Sequence, residues 1–144
     1  MTTVLDDVTS ESIDAPYIQR RVEDWIHRVS SLYDALSAAL PEGWSTKAAA
    51  VTMHEELMRK FGVPAASVPT LAFAHKSGAT ASLVPHGLWV IGANGRLDLT
   101  ANGQRYLVLD LADSFTCPEW RVCTAQDRKR REPFTPDWLN RVLQ

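Results

Sequence analysis

The sequence has little cysteine, little net charge and no long apolar run, and each shortage excludes a class of protein. Its 144 residues include two cysteines, Cys117 and Cys123, which are too few for a disulfide framework and lack the C-x-x-C spacing of a zinc knuckle or redox motif. No stretch approaches the roughly 20 apolar residues of a membrane span, and the acidic start lacks the basic region of a signal peptide. We therefore expect a cytoplasmic protein that does not enter a membrane.

What is present is an average composition with an uneven distribution of charge. Hydrophobic residues make up 45% and charged residues 22%, and the net charge of -2 gives no global attraction to nucleic acid or membrane. The first 14 residues contain four acidic residues and no basic one, which predicts an acidic mobile tail over 1–14. The remainder, 15–144, has the length of one domain.

Apolar periodicity predicts a long amphipathic helix at the start of this domain. From Pro16 to Leu40, apolar residues recur at spacings of three, four and one, which is the pattern of a helix of about six turns. Pro41 and Gly43 predict its end.

A second helix is predicted after these breakers. Ser45 or Thr46 can cap it, the alanines at 48–50 favour it, and Gly62 suits a residue that follows its end at Phe61.

From residue 71 the period changes toward 2, and Asn94-Gly95 and Asn102-Gly103 predict hairpin turns. Thr135 as cap and Pro136 at the first position predict a last, short helix. The predicted fold is α+β, with N-terminal helices packed on an antiparallel β-meander and a short C-terminal helix. The predicted strands are 71–75, 81–84, 87–93, 96–101, 105–111 and 120–124.

The register of two predicted strands decides whether Asp98 and Asp110 share a face. A two-residue turn at 102–103 would pair Asp98 with Leu107 and mix leucines with polar residues on each face. A three-residue turn with a bulge pairs Asp98 with Val108 and gives one uniformly apolar face, so we prefer it. The two aspartates then lie roughly 7 to 8 Å apart on the other face. There they could share Mg²⁺ or Mn²⁺, or simply point to water on a half-exposed face.

The segments 95–99 and 106–112, Gly-Arg-Leu-Asp-Leu and Tyr-Leu-Val-Leu-Asp-Leu-Ala, resemble the strand pair of PD-(D/E)XK nucleases. The resemblance implies that Asp98 and Asp110 hold metal and water. The sequence departs from the pattern at Leu97, where proline is usual, and at Ala112, where the catalytic lysine is expected. It therefore does not identify the chain as a member.

His54 and Glu55 are further candidates for chemistry. His54 would lie on the apolar side of the predicted second helix, as a base or ligand, or as a hydrogen-bonded boundary residue. His54-Glu55 begins like H-E-x-x-H, but Met58 stands where the second histidine of a zinc protease would be.

A basic run, Arg128-Lys129-Arg130-Arg131, lies between Asp127 and Glu132. Such a loop could contact phosphates and gain affinity by counterion release, or it could be a solvated turn.

These observations support three hypotheses. The first is a non-catalytic intracellular binding or regulatory domain with a protein partner or a second copy of itself. The second is a divergent metal-dependent phosphodiesterase that uses Asp98, Asp110 and either Glu55 or His54. The third is a nucleic-acid adaptor that uses the loop 128–131. No cofactor is expected, except Mg²⁺ or Mn²⁺ under the second hypothesis.

Overall fold

A computed structural model describes residues 13–144, so most of the predicted acidic tail lies outside the described residues. Asp14 caps the first helix, α1 (Ala15–Ala38), because its carboxylate accepts a hydrogen bond from the Tyr17 backbone N–H at 3.0 Å. This helix confirms the predicted one. No helix within 13–144 is both long enough and apolar enough to cross a membrane. The apolar residues buried along α1 are Ile18, Val22, Trp25, Val29, Leu32, Tyr33 and Leu36.

An antiparallel sheet of seven strands follows, and each strand pairs with the next one along the chain. This meander, with a helix before it and a short helix after it, confirms the predicted α+β class. The strands are β1 (Trp44–Met53), β2 (Ala66–His75), β3 (Thr80–Gly87), β4 (Arg96–Ala101), β5 (Gln104–Asp110), β6 (Trp120–Thr124) and β7 (Glu132–Pro133). The remaining helices are α2 (Glu56–Lys60), between β1 and β2, and α3 (Pro136–Leu143).

The predicted second helix is wrong over most of its length. Residues 44–53 form β1, and only the five residues of α2 are helical. The alanines at 48–50 favour a helix locally, but β1 pairs with β2 in an unbroken register of ten residues. Ten strand pairs formed with a distant segment outweigh the small propensity difference of three alanines.

The predicted strand over 87–93 and the hairpin at 94–95 are also wrong. Residues 88–95 form a loop, and β3 contains a bulge at His86, between Pro85 and Gly87. Gly95 has a φ of 115°, and a Cβ there would come within 2.3 Å of the Trp25 ring. Glycine is therefore required at 95 for close packing rather than for a hairpin.

The preferred register of β4 and β5 is wrong, because the turn at 102–103 has two residues. Asn102 and Gly103 have φ of 53° and 73°, as a tight hairpin turn requires, and Asp98 pairs with Leu107. The premise of a single apolar face fails because β5 is buried on both sides. One row of apolar side chains faces the helices, and a smaller second cluster forms on the opposite face, which we call the outer face. That cluster contains Leu107, Leu109 and Cys123, with Ala93 and Leu111 packed against it.

The helices cover the other face of the sheet and form the main core with it. Tyr106 of β5 contacts Trp138 of α3, with ring centroids 5.1 Å apart, and Trp25 of α1 contacts Trp120 of β6. Thr135 caps α3 as predicted, by accepting a hydrogen bond from the Trp138 N–H at 3.1 Å. The outer face of β4, β5 and β6 is thus left to the loops 88–95 and 125–131.

Candidate functional site

The structure separates Asp98 and Asp110, the two residues proposed to share a metal ion. Because Asp98 pairs with Leu107, it lies on the outer face, whereas Asp110 lies on the helix-covered face. Asp110 is fully buried and Asp98 is partly exposed. Two carboxylates on opposite faces of a sheet cannot bind one cation. Within 13–144, no group of three or more His, Cys, Asp or Glu side chains is arranged to hold a metal ion.

Asp110 instead belongs to a buried charge network that the sequence analysis missed. The guanidinium of Arg28, only 2% exposed, donates to Asp110 Oδ2 at 2.5 Å and to Asp24 Oδ2 at 2.7 Å. It also donates to the carbonyls of Asp113 and Thr116. The network joins α1 to the end of β5. The signal in the sequence was Arg28 next to Val29 on the apolar side of the helix, with Asp24 four residues earlier.

The side chains of Glu55 and His54 each contact backbone groups of a neighbouring segment. The Glu55 carboxylate accepts hydrogen bonds from the N–H groups of Leu88 at 2.8 Å and Trp89 at 3.4 Å, which fixes the start of the loop 88–95. The His54 ring Nε2 lies 3.1 Å from the carbonyl of Val63, and this histidine precedes α2 rather than lying on its apolar side. Within 13–144, neither residue forms a metal-binding group with Asp98 or Asp110.

The basic loop contributes to a cleft on the outer face, which we call the basic cleft. Its volume is about 520 Å³, and its walls come from β3, β4, β5 and the loops 88–95 and 125–131. Three arginines and one histidine line it, with no acidic side chain among the lining residues of the described chain. The lining residues are His86, Val90, Ile91, Gly92, Arg96, Leu109, Arg128 and Arg131.

The floor of the basic cleft is organised around Asp98. The Arg96 guanidinium donates from Nε to Asp98 Oδ1 at 2.9 Å, and His86 Nδ1 lies 3.6 Å from Asp98 Oδ2. The bulge in β3 inserts His86 as an extra, unpaired residue between Pro85, which pairs with Leu97, and Gly87, which pairs with Arg96. Asp98 therefore orients Arg96 through the Nε of its guanidinium.

Arg128 and Arg131 form the wall of the basic cleft that faces the loop 88–95, and both are exposed. The loop that carries them is ordered by its own contacts: Arg131 Nε donates to the Arg128 carbonyl at 3.1 Å, and Arg130 N donates to the Asp127 carbonyl at 3.3 Å. Lys129 and Arg130 belong to the same loop but do not line the cleft. Of the four residues in the predicted basic run, two therefore line the basic cleft and two do not.

The three arginines also affect the pKa of a nearby thiol. Burial raises the pKa of the Cys123 thiol, and the positive charges of Arg131, Arg128 and Arg96 each oppose that rise. Cys123 lies on the outer face, where it pairs with Leu107. Three guanidinium groups from two separate segments thus act on one point beside the cleft.

The wall opposite the basic loop is held at both ends. Glu55 fixes Leu88, and at the other end the Asn94 N–H donates to the Asp110 carbonyl at 2.7 Å. Between these anchors, Val90 is half-buried and Ile91 is fully exposed. The basic cleft therefore combines three arginines, one of them paired with Asp98, with an apolar wall.

A larger cavity, of about 610 Å³, lies at the other end of the sheet. Small side chains from β1 to β4 line it, and Lys47 is the one charged residue among them. Its other polar lining side chains are uncharged hydroxyl and amide groups, so it lacks the concentration of charge found in the basic cleft.

Comparisons of this chain with protein-family models, with curated proteins and with solved structures find no match. The chemistry of the basic cleft is therefore inferred from its own residues.

Proposed function

We propose that the protein is a non-catalytic binding domain that holds a phosphate-bearing ligand, a nucleotide or a short stretch of single-stranded nucleic acid, in the basic cleft. The observation that carries this proposal is the convergence of Arg96, Arg128 and Arg131 on one concave site in a chain with a net charge of -2. The proposal joins the predicted binding domain to the predicted basic loop, and it adds Arg96 and His86.

Arginine suits phosphate because its planar guanidinium can donate two parallel hydrogen bonds to one group. Arg96 is held by Asp98 and so is preorganised, which reduces the entropic cost of ordering its side chain when a ligand binds. Asp98 neutralises one of the positive charges, and two further guanidiniums remain on the opposite wall. A multiply charged anion is the ligand that such an arrangement favours.

The apolar wall distinguishes a nucleotide from a simple anion. Val90, Ile91 and Leu109 line the same cleft as the arginines, and a base or ribose could pack against them while its phosphate is bound. The volume lies within the range of roughly 300 to 1,000 Å³ that is usual for small-molecule sites.

The phosphodiesterase hypothesis is not proposed, because it requires Asp98 and Asp110 on one face and they lie on opposite faces.

Fluorescence anisotropy with a labelled single strand of about 12 nucleotides tests the proposal. Three phosphate contacts predict that log affinity falls with log salt at a slope of about -2, so raising salt from about 50 to about 200 mM weakens binding about 20-fold. With Arg128→Ala and Arg131→Ala together, one contact remains and the same change in salt weakens binding only about threefold.

Arg105→Ala is the matched control, since Arg105 is exposed on β5 and does not line the cleft. It should leave affinity within about twofold of wild type, as for a residue without a phosphate contact. Competition with inorganic phosphate and with mononucleotides tests whether the ligand of the basic cleft is a free nucleotide or a nucleic-acid strand. Displacement by polyglutamate at equal charge concentration, or equal salt slopes for the wild type and the double variant, would contradict the proposal.

A further inference from the structure

The two edges of the sheet are protected very differently. A sheet edge presents unpaired N–H and C=O groups, and proteins commonly shield it with a short strand, proline, charges, a bulge or a covering segment. The β7 edge is two residues long and contains Pro133. The β1 edge is ten residues long, from Trp44 to Met53.

β1 has almost none of these protections. Its register with β2 is unbroken, it contains no proline, and Lys47 is its one charged residue. Ala48, Ala49 and Ala50, at its centre, are exposed. No strand other than β2 pairs with β1 anywhere in 13–144. An incoming strand would meet small side chains and open backbone groups.

We propose that β1 is the interface of a homodimer, in which β1 of two copies pair antiparallel and continue the sheet across a twofold axis. A twofold axis makes edge-to-edge strands antiparallel, and each contact then occurs twice. With the axis at Ala49, the Ala48 of one copy faces the Ala50 of the second, and Lys47 faces Val51 of the second copy.

Charge favours a second copy as the occupant of this edge. In the centred register no like charges face each other, and the two Lys47 side chains are separated by four strand positions, about 14 Å at the backbone. That distance exceeds the screening length of about 8 Å at physiological ionic strength. A foreign peptide would instead gain selectivity from pockets for alternate side chains, and the centre of β1 offers alanine methyl groups.

This interface is independent of the proposed function. β1 is the first strand of the sheet, whereas the basic cleft lies over β4 and β5. Failure of either proposal leaves the other intact.

Sedimentation equilibrium of the full chain, over roughly micromolar to submillimolar concentration, tests the proposal. The wild type should dimerise. Ala49→Lys and Ala49→Glu should each weaken dimerisation at least about tenfold, because like charges then face each other at the axis. A mixture of the two variants should restore dimers, since opposite charges then meet. Thr80→Lys, at an exposed position on β3, should dimerise like the wild type.

Hydrogen exchange of the wild type gives a second readout that does not depend on a variant folding. Amides in 44–53 should gain protection as concentration rises, while the other strands should not change. A wild type that stays monomeric over the whole range overturns the proposal. So does an Ala49→Lys protein that dimerises with the affinity of the wild type, or protection that does not rise in 44–53.

Discussion

Replacing Arg28 with methionine removes the centre of the buried charge network while keeping a side chain of similar length. Four interactions are lost at once: the ion pairs with Asp24 and Asp110, and the hydrogen bonds to the carbonyls of Asp113 and Thr116. These contacts join α1 to β5 and to the loop that follows it, so the substitution acts on the packing of the long helix against the sheet.

The structure gives the size of the effect. Asp110 is 0% exposed, and without Arg28 its carboxylate keeps the N–H donors of Ala112 and Glu119, both on Oδ1. Oδ2 then has no donor in the described structure. Breaking a buried pair on one side costs about 3 to 5 kcal/mol, which at about 3 °C per kcal/mol lowers Tm by about 10 to 15 °C. A total stability of about 5 to 15 kcal/mol makes this a severe loss.

Urea denaturation followed by circular dichroism measures the loss. Arg121→Ala is the matched control, because its bridge to Glu119 is partly exposed at both ends and should contribute less than about 1 kcal/mol. Adding Asp110→Asn to the Arg28→Met chain should recover part of the stability, since it removes the unpaired charge. A loss below about 1 kcal/mol for Arg28→Met, or a double variant less stable than the single one, would refute the reasoning.

Three further predictions concern other buried groups. The Tyr33 hydroxyl is buried without a hydrogen-bond partner in the described chain, so Tyr33→Phe should stabilise the fold by about 1 kcal/mol in urea denaturation. Burial also raises the Tyr33 pKa, so the folded state keeps its proton longer than the unfolded chain; stability should fall above pH ~10 in the wild type and less in the variant. Gly95→Ala, with its Cβ 2.3 Å from the Trp25 ring, should lower unfolding free energy by more than about 2 kcal/mol, and a smaller loss would show that the ring moves aside. Thiol titration should find Cys117 reactive in the folded protein and Cys123 reactive only in urea; two fast thiols would contradict the burial of Cys123.

Local signals in the sequence were sufficient for several elements of the fold. The apolar stripe of α1 and the cap at Thr135 are properties of neighbouring residues, and both elements form where they were predicted. The bounds of β4 and β6 coincide with those predicted from alternation and turn residues.

The errors arose where distant pairing decides the structure. The alanines at 48–50 indicate a helix by propensity, and nothing near them in the sequence indicates that β2 will pair with all ten residues of β1. The register error has a similar origin, because covering loops bury the second apolar cluster and a period of 2 does not reveal such loops.

In the candidate site too, local features were visible in the sequence and features that depend on distant pairing were not. The basic run was visible as a run, but its convergence with Arg96 depends on the register of β4, and the position of His86 depends on a bulge in β3. Asp98 was selected as a metal ligand, and its observed partners are the Arg96 guanidinium and the His86 ring. A carboxylate in an alternating strand has the same sequence signature in either role.

The burial of β5 on both faces connects the fold to the proposed site. On the helix-covered face, Asp110 and Arg28 tie the end of β5 to α1. The backbone of Asp110 also forms hydrogen bonds: its carbonyl accepts from the Asn94 N–H, and its N–H donates to the Gly95 carbonyl. These two residues end the loop 88–95, which carries the apolar wall. A change at Arg28 should therefore loosen that wall even though Arg28 lies on the other side of the sheet. Ligand affinity in Arg28→Met should fall under conditions where the chain remains folded, because the arginines stay while Asp110, which anchors the wall that faces them, is held less firmly.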